Sequence, residues 1–473
     1  MNIKDKRIII VGMARSGLSA AKLLLKYGAK VKISDSKPAS QLQNEITQLK
    51  NLDIEIETDG HKEDSLPRCE LIVVSPGIPV EIPFLQKAKK LGIPIISEME
   101  LAYQFLPQNR VIAVTGTNGK TTTTTLIGEI LKTADQKVIV AGNIGYPLSE
   151  AIDKIDKDYL VVVEISSFQL ETIKDFRPNI SVFLNFTPDH LDRHKDLNDY
   201  LKIKARIFEN QTKDDFMVLN ADDSNIMEVS QQSKAKPIFF SLTKKDFENG
   251  IFLKGNQIVS RFEGQENKIC KTQDIALIGP HNLQNVLSAL GVSAILKIDF
   301  EVVRKTLREF KGVEHRIEEV ACINGIRFIN DSKATNVDSV LVALQSFNKP
   351  IILIAGGRSK GCDYSRLNPL LSAKVKTLIL LGEAKDKIAQ GVHFDNIFKV
   401  QNLHEAVELA YKLSKPKDTI LFSPACSSYD MFKNYEERGR VFKEEVARIS
   451  KRSAFSIQFL NERCYSSYYT QGG

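Results

Sequence analysis

The chain has 473 residues, 42% of them apolar, and its 65 basic and 58 acidic residues leave a formal charge of +7. That length exceeds a single hydrophobic core and predicts about three domains, while so small a surplus, with no basic block, excludes nucleic acid as the default partner and suits anionic small substrates. Six cysteines, at 69, 270, 322, 362, 426 and 464, show no metal-ligand or C-x-x-C spacing, and no apolar stretch reaches membrane-spanning length, so we expect a soluble, cytoplasmic enzyme without membrane insertion.

The apolar run within residues 1–11 is too short for the core of a signal peptide. Residues 7–11 predict a buried strand, Gly12 to Gly17 a turn, 19–27 a helix ended by Gly28, and 30–34 a second strand ending at Asp35. This is a βαβ opening with a phosphate-facing loop, although Ala14 stands where a dinucleotide fingerprint has its middle glycine. Asp35, Ser36 and Lys37 read equally as a grip on a ribose or base and as a charged turn. Strands at 71–75, ahead of Pro76 and Gly77, and at 93–96 complete a small doubly wound sheet.

A second segment opens near residue 99. Its apolar strand at 111–115 runs into T-G-T-N-G-K-T at 115–121 and a threonine-rich helix. Backbone N–H groups of Gly116, Thr117, Asn118, Gly119 and Lys120 would face nucleotide phosphates, the Lys120 ammonium would neutralise them, and the Thr121 hydroxyl would hold Mg²⁺. Val114 occupies the first glycine of the usual spacing, so the loop is a shortened variant. A strand at 159–164 ends on Glu164, where a second Mg²⁺ contact is expected at the carboxyl edge of the sheet; an N-cap or surface acid is the alternative. Short alternating segments over 237–275, with turns at 248–250 and 254–256, predict an antiparallel flap at one edge.

A third α/β segment starts near 312, with strands at 351–355, 378–382 and 419–422. We expect domains at 1–98, 99–312 and 313–452, with 453–473 a flexible tail.

The ordered words T-G-T-N-G-K-T, G-N-I-G at 142–145, E-I-S-S-F-Q-L at 164–170, P-D-H-L-D-R-H at 188–194, H-N-x-x-N at 281–285, E-H-R at 314–316 and N-D-S-K-A-T-N at 330–336 closely resemble the Mur ligases over roughly residues 5–450. D-S-K-A-T-N with S-P-A-C-S-S-Y-D at 423–430 looks like the branch that adds D-glutamate. The resemblance implies an N-terminal Rossmann-like sheet, a central P-loop ATPase-like domain and a C-terminal Rossmann-like domain. It also implies ATP-driven amide formation between UDP-N-acetylmuramoyl-L-alanine and D-glutamate, in the cytoplasmic stage of peptidoglycan synthesis, by a monomer that takes small molecules and no nucleic acid. A sister ligase or a folylpolyglutamate synthase would share the loop, but the D-N-P-R motif of the diaminopimelate enzyme is absent; a nucleotide switch would need neither His190 nor Lys204.

Carried residue by residue, the resemblance gives Thr121 and Glu164 to a first Mg²⁺ and His190 and Lys204 to a second. A free lysine is a cation at neutral pH and cannot ligate Mg²⁺; the family turns it into an oxygen donor as a carbamate formed from CO₂. From the residues alone, both Lys202 and Lys204 read as a solvated helix face; only the resemblance, through the family's Y-x-x-x-K pattern that Tyr200 begins, selects Lys204. Asn285, Arg316 and Asp331 resemble further nucleotide contacts, completed when domains close and exclude water. Arg15, Ser16, Gly17, Ser36, Lys37, Ser75 and Gly77 correspond to the uridine diphosphate contacts, and Asn143 and Ser166 to the muramoyl-alanine end. Lys333, Thr335, Lys360, Ser428, Tyr429 and Tyr435 correspond to the D-glutamate site, Tyr429 standing where the family usually has an aliphatic residue.

Overall fold

The apolar runs assemble into three separate sheets. The computed structural model describes residues 2–467 apart from 144, 190–192, 278, 348–349 and 360, and only the backbone of 280, 281 and 453–467. The first sheet takes β1 (Arg7–Val11), β2 (Lys30–Ser34), β3 (Ile54–Glu57), β4 (Leu71–Val74) and β5 (Ile95–Ser97) in the order β3-β2-β1-β4-β5, all parallel.

The second sheet has nine strands: β6 (Arg110–Thr115), β7 (Val138–Gly142), β8 (Leu160–Glu164), β9 (Ile180–Phe183), β10 (Phe216–Asn220), β11 (Lys236–Ser241), β12 (Gly250–Lys254), β13 (Gln257–Phe262) and β14 (Gln265–Lys271). Their order is β14-β13-β12-β11-β10-β9-β6-β8-β7. Pairing is parallel from β7 to β12 and antiparallel through β13 and β14, so the expected flap forms and continues the main sheet at its edge.

The third sheet joins β15 (Glu318–Ile323), β16 (Ile326–Asn330), β17 (Ile351–Gly356), β18 (Val375–Leu381), β19 (Ile397–Lys399) and β20 (Thr419–Phe422) in the order β15-β16-β20-β17-β18-β19. Only the β15–β16 pair is antiparallel. The inner strands are buried on both faces, as β17 (IILIAG) is along its whole length, because helices cover a parallel sheet on each side.

The chain divides into two compact units, one built from residues 1–275 and 282–310, the other from 276–281 and 311 onward. The first unit holds the first two sheets over a shared core in which Ile10, Leu24 and Met99 pack with Ala141, Leu148 and Phe176. Within it, buried Glu100 of the helix Glu98–Tyr103 accepts the backbone N–H groups of Lys174, Asp175 and Phe176 at 2.9, 3.0 and 2.9 Å. That carboxylate fixes the segment leading into β9.

The closing helix runs Tyr435–Ser467 and so includes 453–467 of the segment expected to be a flexible tail. The stretch contains no glycine or proline to stop it. Among the described residues, no helix is long and apolar enough to cross a membrane.

Candidate active site

The phosphate loop links β6 to the helix Lys120–Thr133. Gly116 has φ +147° and Gly119 φ +83°, backbone conformations that favour glycine, and a Cβ on Gly119 would stand 2.2 Å from Asn285 Oδ1, which would have to move aside. Asn185, just beyond β9, clamps the loop. Thr117 N donates to its carbonyl at 3.0 Å, Asn118 N to its Oδ1 at 2.8 Å, and Asn185 Nδ2 donates to the Asn118 carbonyl at 3.0 Å. The N–H groups of Thr117 and Asn118 are therefore bonded inward, and the capacity to hold an anion shifts to the helix N-terminus from Gly119 to Thr121, whose first-turn donors lack intrahelical partners.

Side chains converge on this turn from four elements. Lys120 Nζ folds back onto the carbonyls of Gly116 and Thr117 at 2.9 and 2.8 Å. The Thr121 hydroxyl donates to Glu164 Oε2 and Asn143 Nδ2 donates to Glu164 Oε1, each at 2.8 Å. Lys204 Nζ reaches the same Gly116 carbonyl at 2.8 Å, over the ring of Tyr200.

Lys204 is 1% exposed, whereas Lys202 on the same helix, Leu197–Ala205, faces solvent; the solvated-face reading therefore holds for Lys202 alone. Burial, with the charge of Lys120, holds the Lys204 amine well below the ordinary lysine range, opposed by Asp189 and Glu164. Burial likewise raises the Tyr200 phenol, which is bonded to Thr117. The Thr121 and Glu164 oxygens suit a hard cation such as Mg²⁺.

His190 lies outside the described residues. His194, which the sequence reading left unassigned, is buried between Phe168 and Tyr200 with Nε2 3.0 Å from Ser167 Oγ. Ser166 caps the helix Ser167–Leu170 in a reciprocal capping box with Gln169. Asn285 donates to Asn282 Oδ1 at 2.9 Å.

In the first sheet, a Cβ on Gly17 would stand 1.9 Å from the Gly12 carbonyl, which Ser75 Oγ also contacts at 3.0 Å. The helix Arg15–Lys26 has Ala14 as N-cap and no side-chain cap, so the N–H groups of Arg15, Ser16 and Gly17 face outward, as at an anion seat. The Arg15 side chain turns instead to Glu150, 3.3 Å away, and to the Gly145 carbonyl. Asp35 accepts from Met13 N at 2.8 Å and Lys37 N at 3.0 Å, which makes it the tie of a charged turn; Ser36 and Lys37 are exposed beside it, and Gly77 is exposed in the turn after β4.

The second unit gathers its predicted residues at the carboxyl ends of the adjacent strands β16 and β20, the usual ligand edge of such sheets. Buried Asp331 accepts from Ser423 Oγ at 2.7 Å and Ile317 N at 3.2 Å. Burial pushes its carboxyl up to about 7, against the pull of Ser423 and Arg316. Arg316 Nε is buried without a hydrogen-bond partner among the described residues. Lys333 Nζ lies 5.3 Å from the centre of the Tyr435 ring.

Ser428 is buried, Thr335 half-buried, and Tyr429 65% exposed; Lys360 lies outside the described residues. Sequence reasoning missed Arg438, buried in the closing helix, which donates to Ser332 Oγ at 3.0 Å, Ser332 O at 2.7 Å and Cys426 O at 3.0 Å. It ties the loop of Lys333 to the loop of Ser428.

Residues 6–97 match the Mur ligase MurD-like N-terminal domain, 114–293 the Mur ligase middle domain, and 315–426 the Mur ligase glutamate ligase domain. The UDP-N-acetylmuramoylalanine–D-glutamate ligase of Caldanaerobacter subterraneus subsp. tengcongensis is 46% identical over 451 residues, covering 94% of this chain and 99% of its own. That of Clostridioides difficile is 42% identical over 449 residues, with the same coverage, 94% and 99%.

Among solved structures, the UDP-N-acetylmuramate-alanine ligase MurC of Thermotoga maritima aligns with TM-score 0.57 at 21% identity, over 93% of this chain and 99% of that one. The MurF ligase of that organism, in complex with ADP, aligns with TM-score 0.58 at 16% identity, over 94% and 96%. These two share the three-sheet α/β fold. By its identity to curated relatives over nearly its whole length, the chain belongs to the Mur ligase family.

Proposed function

We propose that the chain is an ATP-dependent, ADP-forming amide ligase that joins D-glutamate to UDP-N-acetylmuramoyl-L-alanine. The observation that carries the reading is the meeting of two lysine amines, Lys120 and Lys204, at the Gly116 carbonyl beside the Thr121–Glu164 oxygen pair. Two amines on one acceptor are hard to explain by stability. They suit a site where a carboxylate and a γ-phosphate, both anionic, must be brought together. The name borne by relatives 42–46% identical supports the choice of substrates.

In this reading a carboxylate oxygen of the muramoyl-alanine attacks the γ-phosphorus and ADP leaves. The D-glutamate amine then attacks the acyl carbon, loses a proton, and phosphate departs with the C–O bond broken. Lys120 swings from its loop carbonyls to the phosphates. Lys204, pushed toward the neutral amine, forms an N–C bond to CO₂ and gives up one N–H proton to solvent, becoming a carbamate with oxygen donors. Thr121 and Glu164 would hold one Mg²⁺ and His190 with carbamoylated Lys204 a second, the ions neutralising phosphoryl oxygens.

Gly119, Asn285, Arg316 and Asp331 serve the nucleotide, and Gly116, Thr117 and Asn118 build the loop that presents the helix N-terminus to its phosphates. Arg15, Ser16, Gly17, Ser36, Lys37, Ser75 and Gly77 serve the uridine diphosphate, and Asn143 and Ser166 the muramoyl-alanine end. Lys333, Thr335, Lys360, Ser428, Tyr429 and Tyr435 serve the incoming D-glutamate, whose two carboxylates call for paired donors. The enzyme acts as a cytoplasmic monomer.

Phosphate release measured across a panel of amino acids tests the reading. Release should require UDP-N-acetylmuramoyl-L-alanine and D-glutamate together; indifference to D-glutamate overturns the assignment.

A further inference from the structure

Arg193 has no part in the site as assigned, yet within the first unit it spans from a loop of the first sheet to a helix of the second. Its Nη2 donates to the Ile78 carbonyl at 3.1 Å and to Glu171 Oε2 at 2.7 Å. Ile78 belongs to the turn after β4, and its Cγ1 would stand 3.1 Å from a Cβ on Gly12, so it braces the start of the Gly12–Gly17 anion seat. Glu171 is the C-cap of the helix Ser167–Leu170, which Ser166 opens. One guanidinium therefore bonds both the turn packed against the diphosphate seat and the helix behind Ser166.

The tie is buried, with the Arg193 side chain 12% exposed and that of Glu171 8%. The guanidinium carbon lies 5.5 Å from the centre of the Phe168 ring, which covers one face of it. Phe168 stacks on His194 at 5.6 Å and His194 on Tyr200 at 4.8 Å, and the Tyr200 ring carries the Lys204 amine. A buried ion pair gains little net stability over apolar residues of similar volume, so what this one supplies is position. Arginine suits that task, because its planar head fixes the directions of its donors. The reason position matters rests on the ligase reading. UDP-N-acetylmuramoyl-L-alanine is held at its diphosphate by the first sheet and presents its carboxylate at the second. Two contacts on one molecule reinforce each other only where their separation matches its length, and a misplacement of about 1 Å at the reacting end can cost about a hundredfold in rate.

We propose that Arg193 is a positioning residue that sets the span between the diphosphate seat and the carboxylate end of the substrate site, through Ile78 on one side and Glu171 on the other. Calorimetric titration of the full chain with UDP, with ADP and Mg²⁺, and with UDP-N-acetylmuramoyl-L-alanine tests it, with steady-state rates alongside. UDP occupies one end alone, and only the complete substrate feels the span. Arg193→Ala should bind UDP and ADP as wild type does, bind the complete substrate about tenfold more weakly, and lower kcat by about ten- to a hundredfold. Glu171→Gln, which keeps the shape and removes the charge, should move the same two quantities in the same direction by a smaller factor, and it decides the matter if Arg193→Ala does not fold. Equal losses for UDP and the complete substrate, as a merely structural role would give, or no loss for either, overturn the proposal. Wild type that binds UDP but gains no affinity from the muramoyl-alanine arm overturns the ligase reading itself, and the proposal with it, before any variant is made.

Discussion

Lys204 and Asp331 are each carried by burial away from the state they hold in water. For Lys204 the consequence is nucleophilicity, since the neutral amine, not the ammonium, reacts with CO₂. We expect Lys204→Ala to lower turnover by roughly a thousandfold or more, with partial recovery on adding a short carboxylic acid; steady-state rates with and without acetate check this, and unchanged activity would remove the carbamate. For Asp331 the folded-state carboxyl sits at about 7, above its value in the unfolded chain. Both states carry the proton below about pH 4, so the burial penalty is absent there; it grows as pH rises to about 7 and is full above that. Asp331→Asn should therefore gain stability over wild type by up to about 1.4 kcal/mol per pH unit across that interval, measured by urea unfolding at pH 5.5 and 8. Neither shift is legible in sequence, where Lys202 and Lys204 look alike; depth in the fold separates them.

At the scale of elements, the strand-loop-helix of 110–133 was fully legible because strand, glycines, lysine and threonine are local. Its clamp was not, since Asn185 is 67 residues from Asn118 and meets it only after β9 pairs with β6. Asn185→Ala should raise the KM for ATP about tenfold, the equivalent of about 1.4 kcal/mol for lost loop bonds, and leave the KM for D-glutamate unchanged. Arg438→Met should raise the KM for D-glutamate, because it frees the loops of Lys333 and Ser428 from one another. One missed element had a readable signal. Asn324 and Gly325, with φ +52° and +76°, form the two-residue turn between β15 and β16, and Asn-Gly between apolar runs is a strong hairpin marker. The strand β3 (IEIE) is too short and acidic to stand out.

At the scale of the whole molecule, two compact units, each with its own buried clusters, predict that unfolding is not two-state. Scanning calorimetry should resolve two transitions. ADP with Mg²⁺ should raise the one belonging to residues 1–275 and 282–310, by mass action on the unit that carries the phosphate loop. A single transition would mean that the units melt together. The three-part α/β organisation was legible from the alternation of apolar strands and helices. The sharing of one core by the first two sheets was not, because it depends on long-range packing such as Met99 against the Glu164 side of β7.

The ties from Asn185 also bear on recognition kinetics. A turn already wired to its neighbouring strand surrenders little flexibility when a nucleotide arrives, so capture needs no rearrangement of the cradle beyond release of the Lys120 arm from its own carbonyls. Association should then run at a rate set by diffusion and charge steering, slowing as ionic strength rises.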